Sequence, residues 1–146
     1  ILIGLVGSEM CIRDRPLAQE KEIKLIGNCK DTTMVGSDIL IYRMVYNLVE
    51  NAIKYNHFGG QVTITAYRNG KNICLSVEDT GSGIPAELKE RIFEPFFRVD
   101  KSRSRQLGGV GLGLALVREI VRVHDGRITV QSSPSGGTIF EIVFTQ

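Results

Sequence analysis

This chain of 146 residues lacks three things that would set a function class at once: cysteines in ligand or disulfide pairs, an apolar run long enough for a bilayer, and an excess of one charge. Cys11, Cys29 and Cys74 are odd in number and stand at no metal-ligand spacing. That argues against a disulfide framework and a zinc site, and it predicts a reducing, cytoplasmic compartment. The apolar run at the start, ILIGLVG, is too short to span a membrane and has no basic segment before it. With 18 Lys and Arg against 16 Asp and Glu, the net charge is only +2, so nothing draws the chain globally to nucleic acid or anionic lipid. No nucleic-acid partner is expected, and partners must be met at local sites. No internal repeat is present, and 42% apolar content over this length suits one domain with its own core.

Residues 1–15, ILIGLVGSEMCIRDR, show neither helical nor strand periodicity and are cut off by Pro16. They resemble translated adapter sequence and are expected to be a non-native leader, with an edge strand or linker as the alternative. Residues 16–146 are expected to be the domain. Within it, Ile23 to Ile26 predicts a short strand, and Val35-Gly36-Ser37-Asp38 offers N-cap chemistry for a helix to about Asn56. The apolar positions Ile41, Met44, Val45, Leu48, Val49, Ala52 and Ile53 recur at three- and four-residue intervals and predict a core-facing stripe. QVTITAYR (61–68) and NICLSVED (72–79) alternate around Asn69-Gly70-Lys71, a hairpin signal. A short helix from Pro85 to about Arg91, a charged and glycine-rich loop to about Gly109, a helix from Leu112 to His124 and two final strands, RITVQS and TIFEIVF, complete the pattern. The fold class expected is α+β: one layer of helices on a mixed, mainly antiparallel sheet whose other face stays polar.

Three polar clusters stand out against this frame. In NLVENAIKYN (47–56), Asn47 and Asn51 are one helical turn apart, so an amide oxygen can serve a phosphate-bound magnesium without adding negative charge. Lys54 offers a point charge to phosphate, and Tyr55 an aromatic face to a base. In DTGSGIP (79–85), Asp79 ends a strand where a carboxylate can accept from an amino group, and Gly81 and Gly83 let backbone approach a ligand. In GGVGLGLALV (108–117), glycines precede a helix whose free N–H groups suit phosphate. No Gly-Lys-Ser/Thr follows, so this is not a P-loop, and no dinucleotide-binding unit surrounds it. Each cluster alone also fits solvated, capping or turn residues. Their joint occurrence is what reads as an ATP site.

Together with FEPFFRVD (93–100), these segments resemble the N, G1, F and G2 boxes of the catalytic and ATP-binding domain of bacterial sensor histidine kinases, a branch of the GHKL ATPases, over about residues 17–145. The resemblance implies the Bergerat fold, a two-layer α/β sandwich with nucleotide between the N-box helix and a mobile lid. By position it makes Asn51 the principal magnesium ligand with Asn47 assisting, Lys54 a phosphate contact, and Tyr55 a neighbour of adenine. It gives Asp79 the adenine amino group, with Gly81, Gly83 and Ile84 beside it. Gly109, Val110, Gly111, Leu112, Gly113 and Leu114 would line the phosphates, and Thr138 would support the adenine end. Phe93, Phe96 and Phe97 would moor the lid, a basic run of Lys101, Arg103 and Arg105 would lie in it, and Arg98 would stabilise phosphate charge.

In superfamily relatives that hydrolyse ATP, a glutamate general base stands where this chain has Asn47. An amide cannot take a proton from water at neutral pH, which favours phosphoryl transfer over hydrolysis. The family's acceptor histidine lies in a separate dimerisation domain, and neither His57 nor His124 has its sequence context. The expected function is that of one half of an enzyme: it positions Mg-ATP for transfer of the γ-phosphoryl to a histidine elsewhere in the same parent. That parent is expected to be a membrane-associated homodimer whose cytoplasmic part serves a response-regulator receiver domain. The alternatives are a serine kinase of the anti-sigma-factor type and a nucleotide-binding interaction domain without catalysis.

Overall fold

Five strands form one sheet in the order β1-β2-β3-β5-β4, and most of the buried apolar residues of its inner strands point to one face. The structure, a computed structural model, describes residues 16–29, 33–97 and 112–145. The elements are α1 (Pro16–Glu20), β1 (Lys24–Cys29), α2 (Asp38–Lys54), β2 (Gln61–Asn69), β3 (Asn72–Asp79), α3 (Gly113–Val123), β4 (Gly126–Ser132) and β5 (Thr138–Thr145). β1 and β2 are joined by way of α2 and pair in parallel, Lys24 opposite Gln61 through Cys29 opposite Ala66. The other three pairings are antiparallel. A parallel pair needs a long crossover, and α2 supplies it.

α2 forms where the sequence provides both a start and a stripe. Ser37 takes an extended conformation at the N-cap, and its hydroxyl accepts from the Leu40 amide at 3.3 Å. All seven residues of the expected stripe, Ile41 to Ile53, are buried. They pack on Val62, Ile64 and Ala66 of β2, Ile73, Leu75 and Val77 of β3, and Phe140, Ile142 and Phe144 of β5. Alternation along β2 and β5 leaves Thr63, Thr65 and Glu141 on the opposite face. This is the expected α+β two-layer sandwich with helices over one face of a mainly antiparallel sheet.

α1 ends in a Schellman turn: the Ile23 amide donates to the Ala18 carbonyl at 2.9 Å and the Glu22 amide to that of Gln19 at 3.1 Å. Glu22 occupies the left-handed position at φ 53°. The end of α3 is tied down differently. His124 Nε2 accepts from the Ser37 amide at 3.0 Å, and its Nδ1 meets the Ile120 carbonyl at 2.8 Å, so Nδ1 carries the proton. One neutral ring thereby links the end of α3 to the start of α2. A Cβ on Gly36 would lie 2.8 Å from this ring, which is why the loop before α2 passes it with glycine.

One expected element is corrected. The helix from Pro85 to Arg91 is instead two 3-10 turns, Ala86–Leu88 and Arg91–Phe93. Pro85 is extended at ψ 139°, and the bonds that follow are of the tighter i+3 kind, such as the Leu88 amide to the Pro85 carbonyl at 2.9 Å. Bounded by Pro85 and Pro95, the segment buries only Ile92 within these turns, too little apolar surface to sustain an α-helix.

Candidate functional site

The end of β3, the end of α2, the start of α3 and the β4–β5 turn converge. Asp79, the last residue of β3, is 7% exposed. Its Oδ1 accepts from the Gly81 amide at 2.9 Å and the Thr138 amide at 3.3 Å. Oδ2 has no hydrogen-bond partner among the described residues. Burial raises the Asp79 pKa above the ordinary 3.8; the amides of Gly81 and Thr138 pull it down in part, and neighbouring Glu78 adds to the rise. A half-satisfied buried carboxylate is costly for folding alone, and its open oxygen is an acceptor awaiting a donor.

Glycines frame this carboxylate because no side chain fits. A Cβ on Gly137 would lie 2.0 Å from the Asp79 carbonyl oxygen and 2.8 Å from Oδ1. A Cβ on Gly81 would lie 2.5 Å from the Tyr55 carbonyl oxygen, so the loop after β3 rests on the end of α2. Gly83, at φ 76°, faces the Gly136 carbonyl, where a Cβ would stand at 2.6 Å. Ile84 packs partly buried against the core.

On α2, Asn47 and Asn51 are half-buried on the side adjoining the core stripe. Asn47 faces the start of α3: its Oδ1 is 3.9 Å from where a Gly113 Cβ would sit. Its buried Nδ2 has no hydrogen-bond partner among the described residues. Lys54 lies 3.6 Å from the Glu50 carboxylate, one turn back, and Tyr55 caps the helix. At the start of α3, Leu112 and Gly113 are exposed, while Leu114 packs on the core. Thr138 is buried beside Asp79.

Thus Asn47, Asn51, Lys54 and Tyr55 share one helix end, Gly113 approaches Asn47, and Asp79, Gly81, Gly83 and Thr138 cluster at the strand ends. Arg98, Gly109, Val110 and Gly111, and the expected lid with Lys101, Arg103 and Arg105, lie outside the described residues. The expected trio of phenylalanines divides. Phe93 stacks edge-on against Phe140 at 6.2 Å and Arg91 covers Phe97 at 4.6 Å, but Phe96 is 69% exposed at φ 65°.

Two contributors escaped the sequence reading. Gly137 is one, and its only signal was the Gly-Gly-Thr run ahead of β5. The other is Asn56, whose Oδ1 accepts from the His57 amide at 2.9 Å and the Thr80 hydroxyl at 3.2 Å, and whose Nδ2 donates to the Gln61 carbonyl at 3.0 Å. It locks the end of α2 to the start of the loop after β3.

Residues 36–146 match the model of the family described as histidine kinase-, DNA gyrase B- and HSP90-like ATPases. The chain belongs to this ATPase family. Among its relatives is the sensor-like histidine kinase SenX3 of Mycobacterium tuberculosis, 40% identical over 141 residues, which are 96% of this chain and 34% of SenX3. The chain therefore spans about a third of the length of that relative. Its fold matches the catalytic domain of histidine kinase ThkA with a TM-score of 0.83 and 27% identity, over 99% of this chain and 93% of that one. ThkA solved in complex with the response regulator protein TrrA matches with a TM-score of 0.78 and 26% identity, over 99% of this chain and 40% of that one. As an ATPase-family domain, the chain binds ATP, and the chemistry of the converging residues agrees with that. Among the described residues, no helix is long and apolar enough to cross a membrane.

Proposed function

We propose that this domain is the catalytic, ATP-binding part of a sensor histidine kinase and presents the γ-phosphoryl of ATP to a histidine on a separate dimerisation domain of the same parent. The observation that carries the adenine end is Asp79, with Oδ1 held by two backbone amides and Oδ2 open. That oxygen accepts from the adenine amino group, Gly81, Gly83 and Ile84 lie along the base, Thr138 fixes the carboxylate from the other side, and Tyr55 packs near the ring.

At the phosphate end, Asn51 is the metal ligand, Asn47 assists, and Lys54 leaves Glu50 for a phosphate oxygen. The donor set fits magnesium. No three His, Cys, Asp or Glu side chains group for a metal among the described residues, and magnesium on a triphosphate needs only one or two protein oxygens. Asn47 Nδ2, buried without a partner among the described residues, is a donor suited to a phosphate oxygen. When bound, magnesium would supply positive charge that offsets the charge of the phosphates. The N-terminal end of α3, with Leu112, Gly113 and Leu114, directs backbone amides at the phosphates. Gly109, Val110, Gly111 and Arg98 complete this reading by sequence position.

In the transfer, the imidazole nitrogen of the acceptor forms a bond to the γ-phosphorus as the bond to the β,γ-bridging oxygen breaks. ADP leaves, and the imidazole gives up its proton. Asn47 offers no base to water, so hydrolysis stays slow. The parent is a cytoplasm-facing, membrane-associated homodimer whose phosphohistidine serves a response-regulator receiver. Residues 16–146 are the working unit and residues 1–15 are dispensable.

Labelled ATP tests this. Alone, the chain acquires almost no acid-labile phosphate; mixed with its histidine-bearing domain it labels that histidine, and Asn51→Ala abolishes the label. Acid-stable phosphate on a serine of a partner protein would replace this reading with a serine kinase.

A further inference from the structure

We infer that Lys21 is a positioning residue for the nucleotide site: its ammonium caps the end of α2 and holds in place the turn that carries Asn51, Lys54 and Tyr55. The inference rests on the nucleotide reading above. Lys21 lies in the Schellman turn after α1, outside the N, G1, F and G2 boxes and before residue 36, where the family match begins. Its Nζ donates to the carbonyls of Ile53 at 3.2 Å, Lys54 at 2.6 Å and Asn56 at 3.1 Å. Ile53 and Lys54 lie in the last turn of α2 and Asn56 just past its end, where carbonyls point out of the helix and the helix dipole favours a cation. Three acceptors match the three protons of one ammonium.

The backbone repeats the link. The Gly59 amide donates to the Lys21 carbonyl at 2.8 Å, so the α1–β1 turn and the loop after α2 are stitched at both ends of this lysine. The capped turn also touches the adenine end. Gly81 rests on the Tyr55 carbonyl, and Asn56 binds Thr80, the neighbour of Asp79. Loosening residues 53–56 would therefore shift Lys54 and Tyr55 and release the support of the Gly81 amide on Asp79. Lys21 touches no nucleotide in this scheme and acts only through that turn.

Lys21→Met keeps the aliphatic stem and deletes the ammonium, while Lys21→Arg keeps a charged donor. Mg-ATP affinity is measured by calorimetry at a temperature where circular dichroism shows each variant folded, together with amide exchange at Tyr55 and Asn56. Lys21→Met, which deletes all three hydrogen bonds of the cap, is expected to raise the Kd about tenfold through the loosened turn and to speed exchange at both amides. Lys21→Arg is expected to stay near wild type. A folded Lys21→Met variant with wild-type Kd overturns the inference, since a merely stabilising lysine would lower the melting midpoint without moving affinity. If wild type itself fails to bind Mg-ATP, the nucleotide reading falls, and wild-type exchange at Tyr55 and Asn56 in Lys21→Met would separately overturn the cap. If Lys21→Met does not fold, the wild-type chain decides: saturating Mg-ATP slows acetylation of Lys21 by an amine reagent, and equal rates overturn the inference.

Discussion

Replacing Asp79 by Asn separates binding from folding, because the two should move in opposite directions. The amide oxygen can still accept from Gly81 and Thr138, so the local backbone is kept. What changes is the open position, where an acceptor becomes an NH2 facing the adenine amino group, donor against donor. The charge-assisted hydrogen bond lost there is worth about 1.5–3 kcal/mol, a rise in Kd of roughly tenfold to more than a hundredfold. Stability should go the other way. Burial is the largest influence on this carboxyl and raises its pKa above 3.8. The folded state then holds more protons than the unfolded one between 3.8 and the raised value, so stability falls as pH rises through that interval. At neutral pH the wild type bears the full cost of a buried charge, and Asp79→Asn removes it. The melting midpoint of the variant should exceed that of the wild type at pH 7, by roughly 2–8 °C for each kcal/mol gained, and the gap should close as pH drops toward 3.8. Calorimetric titration and thermal unfolding across pH decide the matter. Unchanged affinity would refute Asp79 as the base acceptor. A midpoint several degrees lower at pH 7 would refute the account of its burial.

Two further substitutions probe the frame. Gly137→Ala sets a methyl 2.0 Å from the Asp79 carbonyl oxygen, and the backbone must give way. A loss of about 1–3 kcal/mol in denaturant unfolding, with weaker nucleotide binding, is expected, and a wild-type unfolding midpoint would contradict the close approach. Glu22→Gly relieves a left-handed residue at φ 53° and should add about 1 kcal/mol; a fall in stability would show that the Glu22 side chain contributes more than its backbone costs.

Where side chains alternate or recur, the sequence was legible. The α2 stripe and the β2–β3 hairpin follow from periods of 3.6 and 2, and Ser37 announces its helix by capping chemistry. Residues that act through carbonyl oxygens were not legible. Lys21, Asn56 and Gly137 have no periodic signal, and their partners lie 35, 24 and 58 positions away or are fixed only by the fold. The parallel pairing of β1 escaped for the same reason, since periodicity gives faces but not neighbours. The segment after Pro85 misled because a proline suits the first turn of a helix while the residues after it bury too little to extend one.

The strand that comes last in sequence order among the described residues is an interior strand of the sheet. β5 sits between β3 and β4, brings Phe140, Ile142 and Phe144 to the core, and supplies the Thr138 amide to Asp79. A chain extended only to residue 137 thus exposes one bare edge of β3, leaves β4 with no strand to join, and lacks the Thr138 amide on Asp79. A premature stop or a proteolytic cut before residue 138 removes an interior strand of the sheet and a wall of the site in one event. Sheet and site thus stand or fall together: no chain cut before β5 keeps one without the other.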